Sequence, residues 1–340
     1  MADTALKRYQ EIVGGFHKLS VAVVGDLVAD IYIYGKPSKL SREAPVMIVK
    51  FEEEKLIPGS AGNSVSNLAV LGAKVHAIGA IGNDEMGERL KGMMEDLSVD
   101  TRGLIVDPDL TTVTKTRILA GDLHTSKQQV IRIDREPESP ASAKTEEAIL
   151  SYAQSLSAEV QGLLVSDYGY NLVSPSSIAA ILEAFREKVI VADSRRQIAE
   201  YRGAWMVKPN ESEAIAATGI EIETEADARK AGAKLLEKTG ARSVLLTRGN
   251  QGMILFQPDE EPESIPVFGE QDIVDVTGAG DTVVSVALLA LAAGGNFSEA
   301  ARLANYAASV VVMKRGAGTV TPEELLGAVA EDLADKRDSD

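Results

Sequence analysis

The stretch Asp275-Val276-Thr277-Gly278-Ala279-Gly280-Asp281 runs straight into an apolar segment, Val283 to Ala293. That segment is right for a buried helix and too short to span a bilayer, which takes about 20 residues. The pattern predicts a helix over Gly278–Ala293. The two glycines permit tight turning and close approach to the backbone. The amides of Gly278, Ala279, Gly280 and Asp281 then sit at a helix N-terminus, where unpaired N–H groups and the helix dipole favour an anion. An aspartate in that first turn can take a proton from an attacking hydroxyl while the amides hold a phosphoryl group. A short Gly-Gly-Asp turn ordinarily does no more than cap a helix. The full string with the apolar helix behind it favours phosphoryl transfer.

Outward from this string, the chain alternates helix and strand. Helices over Lys144–Leu156, Ser176–Arg186 and Glu223–Lys238 precede strands over Gly162–Ser166, Val189–Ala192 and Ser243–Thr247. Such alternation implies crossovers and a parallel sheet covered on both faces. A hairpin is expected around Asn250-Gln251-Gly252, a last apolar helix over Ser298–Lys314, and a capped tail helix after Thr321. In the first half, Ser20–Val24 and Val75–Ile81 read as strands, and Ala61–Leu71 and Asp84–Leu97 as helices. Leu90, Met93, Met94 and Leu97 share one helix face. Segments 31–51 and 112–134 break the alternation. They are β-rich, with a turn at Gly121-Asp122, and are expected to form a small separate sheet. Trp205 reads as core.

The chain has 340 residues and a net charge of −16, with no cysteine and three histidines. Strong acidity disfavours nucleic acid and anionic membranes as partners. The absence of cysteine excludes disulfides, thiolate metal sites and thiol nucleophiles. His17, His76 and His124 are too scattered for an imidazole metal centre. The first thirty residues hold no secretory apolar run, so the chain reads as cytoplasmic. GxxxxGK[ST], GxGxxG and GxSxG are all absent.

The string at 275–281 resembles the D-T-x-G-A-G-D signature of the ribokinase (PfkB-type) carbohydrate kinases, with Val276 and Thr277 in its variable positions. Further strings follow in that family's order along nearly the whole chain. Gly25-Asp26-Leu27-Val28-Ala29-Asp30 is similar to its opening strand and turn, and Pro58-Gly59-Ser60-Ala61-Gly62-Asn63 to its Gly-rich sugar turn. Lys208-Pro209-Asn210-Glu211-Ser212-Glu213 matches its N-x-x-E motif. Leu246-Thr247-Arg248-Gly249, with Gly252, resembles its nucleotide-side turn, and Asn305 falls in its adenine-lining helix. Three strings resemble the family's heptose-7-phosphate kinase branch: Tyr32–Gly35 through Ser41–Val46, Thr114–Arg117 with Gln128–Asp134, and Ser166-Asp167-Tyr168-Gly169. That branch has G-G-A-A-N where this chain has Gly59-Ser60-Ala61-Gly62-Asn63.

The resemblance implies an α/β, ribokinase-like three-layer sandwich with a mostly parallel sheet and a small β lid. It implies a single kinase domain over 1–340, lid segments near 31–51 and 112–134, and no nucleotidyltransferase domain. Asp281 would be the base and Gly278, Ala279 and Gly280 the anion site. Asp30, Asp26, Gly59 and Asn63 would meet the sugar. ATP would lie near Asp193, Asn210, Glu213, Thr247, Gly249, Gly252 and Asn305. Mg2+ would be held through water at Glu213 and Asn210, with monovalent-cation assistance left open. A homodimer through the lid is also implied. Asp26 and Asp30 can equally be strand-end turn residues. Asn63, Asn210 and Glu213 stand at helix starts, where caps and first-turn acids are common.

Charge gives a separate indication. Residues 31–42 and 112–135 each carry a local excess of three positive charges in this acidic chain. They suit a sugar phosphate, with Lys115 and Arg117 the better candidates, although basic residues also protect sheet edges. The expected reaction is phosphorylation of the anomeric hydroxyl of a heptose 7-phosphate. Alternatives are the same chemistry on fructose, ribose, a hexose phosphate or a nucleoside, or a sugar or nucleotide sensor. The intact Asp281 and glycines speak against a sensor.

Overall fold

The computed structural model describes residues 2–121, 127–170, 174–269, 274–314 and 316–339. The chain opens with α1 (Ala2–Gly14) and β1 (Ser20–Gly25), then two long strands, β2 (Leu27–Leu40) and β3 (Met47–Ser60), and α2 (Ala61–Val70). Next come β4 (Lys74–Gly82), α3 (Glu85–Asp96), β5 (Asp100–Asp107), β6 (Val113–Ala120), β7 (Gln128–Arg135) and α4 (Ala143–Leu156). Alternation continues through β8 (Gly162–Asp167), α5 (Pro175–Ala184), β9 (Val189–Ser194), β10 (Met206–Val207), α6 (Glu211–Thr218), α7 (Glu225–Thr239) and β11 (Val244–Thr247). After β12 (Met253–Phe256) and β13 (Glu263–Ile265) come α8 (Ala279–Ala292), α9 (Phe297–Val311) and α10 (Pro322–Ser339).

Nine strands form one sheet in the order β13-β12-β11-β10-β9-β8-β1-β4-β5. All pairings from β11 to β5 are parallel, and β12 and β13 are antiparallel additions. The chain starts at β1, builds outward to β4 and β5, then returns to β8 on the other side of β1. That reversal opens a crevice at the C-terminal ends of β1 and β8, where open α/β sheets bind ligands. The residues of β1 divide between two cores. Val21 and Val23 join the helices α1, α2, α8, α9 and α10 on one face. Ala22 and Val24 join α4, α5, α6 and α7 on the other. α8 is buried along its length because Val283 to Leu291 present apolar or small side chains in every direction.

A second sheet has the order β3-β2-β6-β7. β2 pairs antiparallel with β3 and parallel with β6, and β6 pairs antiparallel with β7. β3 runs on to Ser60, beyond the expected end at Phe51. Its Glu52-Glu53-Glu54 run suppresses the apolar alternation because that stretch is solvent-exposed. The residues of the expected Gly121-Asp122 turn from 122 on lie outside the described residues. Helix α1, whose Leu6, Tyr9, Ile12 and Val13 recur at helical spacing and pack on the core, and strand β5, where charged and apolar residues are mixed, add to the predicted elements. Leu97, expected on a packed face, is 38% exposed because α3 ends at Asp96. The expected tail helix is present, with Thr321 and Glu324 exchanging cap hydrogen bonds. Among the described residues no helix is long and apolar enough to cross a membrane.

Gly25 sits at the crevice, where β1 and β8 run close to the start of α2. A Cβ there would stand 2.2 Å from the Ser166 carbonyl oxygen and 2.8 Å from the Ala61 Cβ. Gly25→Ala is expected to destabilise the fold by about 2 kcal/mol. Urea unfolding followed by circular dichroism should show the lower midpoint with an unchanged slope.

Candidate active site

A cleft of about 380 Å3 opens over the C-terminal ends of β8, β9 and β10. The N-terminus of α8 forms its floor, and β2, β3 and β6 stand over it. Gly278 caps α8 with a φ of 81°, in the left-handed region. A Cβ there would lie 2.4 Å from Asn63 Nδ2, so glycine is required by both conformation and space. Asp275 pins the turn by accepting the amides of Thr277 and Gly316, each at 2.9 Å. The Ala279 amide donates to the Val276 carbonyl at 3.3 Å. The amides of Gly278, Gly280 and Asp281 have no acceptor among the described residues, so the predicted anion site keeps three of its four donors.

The Asp281 carboxylate is buried at the start of α8. Its Oδ2 accepts Asn63 Nδ2 at 3.0 Å, and its Oδ1 accepts the Tyr168 hydroxyl at 2.8 Å and Ser64 Oγ at 3.4 Å. Burial pushes its pKa up to about 6, and the hydrogen bonds from Asn63 and Tyr168 and the nearby Lys208 oppose a larger rise. Lys208 is itself buried and pairs with Asp193 at 3.0 Å. Burial disfavours its charge, but Asp193 and Glu213 more than offset that and raise its pKa. Its ammonium lies beside the anion site, 3.3 Å from where a Cβ on Gly280 would be.

Under the second sheet, Arg117 donates to Asp30 Oδ1 at 2.5 Å, and both side chains are largely buried. A Cβ on Gly59 would meet Asp30 Oδ2 at 2.2 Å, so that glycine makes room for the carboxylate. Ser60 has a φ of 54°, a conformation that disfavours a side chain. Lys115 lines the cleft with no ion pair among the described residues. Its ammonium stands 5.8 Å from the Tyr168 ring and 5.5 Å from the Tyr170 ring. Burial lowers its pKa. Arg195 also lines the cleft, with its guanidinium 4.1 Å from the Tyr168 ring centre.

Of the residues predicted from sequence, Asp30, Gly59, Asn63, Lys115, Arg117, Asp193, Asn210, Glu213, Gly278, Gly280 and Asp281 meet in this one cleft. Asn210 and Glu213 also form a full capping box on α6, each accepting the other's amide. Asp26 does not line the cleft. Its carboxylate takes the amides of Tyr168 and Tyr170 behind the wall. Thr247, Gly249, Gly252 and Asn305 lie beyond the cleft. Thr247 bridges to Asn210, and Asn305 Nδ2 donates to the Pro266 carbonyl at 2.8 Å. Tyr168, Lys208 and Ser64 have no individual role in the sequence-based expectation, whereas Arg195 follows Asp193 at a strand end, on the edge where α/β sheets bind ligands. Their signal was their position just past a strand, or one residue from Asn63.

The model of the pfkB family carbohydrate kinases matches residues 18–324. A bifunctional protein HldE of Desulfatibacillum aliphaticivorans is 41% identical over 313 residues, covering 91% of this chain and 63% of that protein. The chain thus spans less than two thirds of that relative. The ribokinase of Arabidopsis thaliana complexed with ribose and ATP shares the fold at a TM-score of 0.72 and 20% identity, over 92% of this chain and 98% of that one. The phosphofructokinase-2 of Escherichia coli in complex with potassium does so at 0.76 and 17%, over 93% and 99%.

A carboxyl whose pKa is higher folded than unfolded subtracts stability once pH rises through that interval. For Asp281 the interval runs from 3.8 to about 6. Asp281→Asn is therefore expected to be more stable than wild type at pH 8, on the order of 2 kcal/mol. The gain should shrink as pH falls toward 4. Urea midpoints of the two proteins across that range check both sign and window.

Proposed function

Because the chain belongs to the pfkB family of carbohydrate kinases and is an ATP-dependent kinase, we propose that it phosphorylates the anomeric hydroxyl of D-glycero-D-manno-heptose 7-phosphate to the 1,7-bisphosphate. The observation that carries this reading is a single cleft combining a buried base, an amide-lined helix N-terminus and an unpaired cation. In this reading the chain supplies the sugar-kinase part of an HldE-like activity.

The acceptor hydroxyl lies against Asp281 and gives up its proton to the carboxylate as it attacks the γ-phosphoryl group of ATP. The amides of Gly278, Gly280 and Asp281, with Lys208, stabilise charge on that group in transit. Asp30 and Asn63 hold sugar hydroxyls. The adenosine end of ATP extends toward Thr247, Gly249, Gly252 and Asn305. Among the described residues no three His, Cys, Asp or Glu side chains could hold a metal together. That fits Mg2+, which is commonly held by one or two carboxylates with phosphates and waters. Glu213 and Asn210 would hold it through water, and it would neutralise phosphate charge. A monovalent cation belongs to the same proposal.

Lys115, more than Arg117, suits the sugar's own phosphate, because Asp30 already matches the Arg117 charge while Lys115 has no acidic partner in the cleft. Arg195 stands on the same Tyr168 ring and is the second candidate. The second sheet acts as a lid that excludes water from the transfer. It also carries exposed apolar side chains, Leu40, Met47 and Phe51 among them, with Val46 in the connection between β2 and β3, and we assign that surface to pairing with a second copy's lid.

A coupled ADP-release assay over heptose 7-phosphate, ribose, fructose and fructose 6-phosphate tests the substrate. The heptose phosphate should give the highest kcat/KM, and equal turnover of ribose would remove the assignment. Lys115→Ala should raise KM for the phosphorylated sugar about tenfold or more, with little change for an unphosphorylated one. Asp281→Asn should lower kcat by about 10²–10⁴-fold with ATP affinity retained. Since the base must be ionised, kcat/KM of the wild type should climb as pH rises through about 6.

A further inference from the structure

The turn after β8 is held unusually firmly. Asp26 Oδ2 accepts the amides of Tyr168 at 2.7 Å and Tyr170 at 3.3 Å. Asp167 accepts the Gly169 amide at 2.8 Å, and its other oxygen takes the Ser194 hydroxyl at 2.6 Å. Both acids are buried and neither has a cationic partner among the described residues. Burying charge is unfavourable unless it is well hydrogen-bonded, and here the bonds go to three consecutive amides of one turn. Gly169 has a φ of 81°, which lets the turn close with the Tyr168 ring against the Arg195 guanidinium. The result is a tyrosine fixed at both its backbone and its ring. Its hydroxyl reaches Asp281 Oδ1 at 2.8 Å.

We propose that Tyr168 is a positioning residue for the base: its hydroxyl holds one oxygen of Asp281 so that the other faces the acceptor hydroxyl. A carboxylate offers about four acceptor directions. Asn63 occupies one on Oδ2, and Tyr168 and Ser64 both approach Oδ1. The direction left over is on Oδ2. The other charged groups facing Asp281 are Lys208, after β10, and Asp193, at the end of β9. Burial and Asp281 itself push the Tyr168 phenol well above its ordinary range, so it remains a donor at neutral pH. By hydrogen-bonding the ionised carboxylate, Tyr168 also opposes the effect of burial and keeps more of the base ready at neutral pH. This inference rests on the reading of Asp281 as the base.

Tyr168→Phe keeps the ring and its cation contacts and removes only the donor. The acid limb of its kcat/KM profile is expected to move up by about one pH unit, which is about a fivefold loss at pH 6 and approaches tenfold below pH 5. Above pH 8.5 the part of the loss that comes from titration should vanish, leaving only the pH-independent deficit of a carboxylate no longer held by the hydroxyl, with KM for ATP unchanged. A limb that stays in place overturns the proposal, whether activity is unchanged or falls equally at every pH. A second measurement needs no substrate. Carbon-13 NMR of aspartate-labelled protein, with Asp281→Asn identifying the signal, reads the Asp281 titration directly. An upward shift in Tyr168→Phe supports the coupling even if no sugar is turned over, in which case the proposed reaction alone fails. An unshifted midpoint overturns it.

Discussion

One buried negative charge, the carboxylate of Asp281, organises the cleft. Taken out of water, it must be met by hydrogen-bond donors or be lost as a charge at neutral pH. The donors come from far apart in the chain: Asn63 and Ser64 on α2, Tyr168 after β8, and the first turn of α8 through its dipole. Packing these elements around one group fixes their mutual positions. The same contacts leave the Gly278, Gly280 and Asp281 amides open toward the cleft. A single requirement, keeping an aspartate ionised in a dry place, thus produces both a buried carboxylate suited to the proposed base role and a set of free amides beside it.

The charges around it follow a consistent arrangement. The chain is strongly acidic, yet four cations, Lys115, Arg117, Arg195 and Lys208, line the cleft. Two of them are matched within the protein, Arg117 by Asp30 and Lys208 by Asp193. These pairs hold side chains in place without a large net charge. Lys115 and Arg195 have no ion-pair partner among the described residues, so unmatched positive charge lies at the end nearest Tyr168 and Tyr170, while the lining as a whole holds five acids against four cations. A dianionic ligand and an acidic protein can coexist when the compensation is this local.

Much of this was readable in the sequence, for identifiable reasons. The string at 275–281 combines a conformational demand, an anion site and an acid within seven residues, so its reading needs no long-range information. The α/β alternation after residue 143 was legible because buried parallel strands are almost wholly apolar. The acidic, exposed half of β3 lacks that signature, and β5 mixes charged and apolar residues, so neither declares itself as a strand. Tyr168 went without a role because its partner is 113 positions away in sequence. Asp26 shows the opposite failure: its place in the motif suggested a ligand contact, but the fold turns it toward backbone amides.

The second sheet joins the main body through a narrow neck. β2 leaves it at Leu27 and β3 re-enters it at Ser60, and those two residues are paired with each other. The Ala61 amide then donates to the Asp26 carbonyl at 3.0 Å. On one side of this neck, Asp26 grips the turn that carries Tyr168. On the other, two residues beyond Ala61, stands Asn63. Asn63, Ser64 and Tyr168, the three side-chain donors to Asp281, thus all stand close to this junction. The elements that meet at this neck therefore also carry the donors to Asp281, so the placement of the second sheet and the proton affinity of one carboxylate share the same contacts.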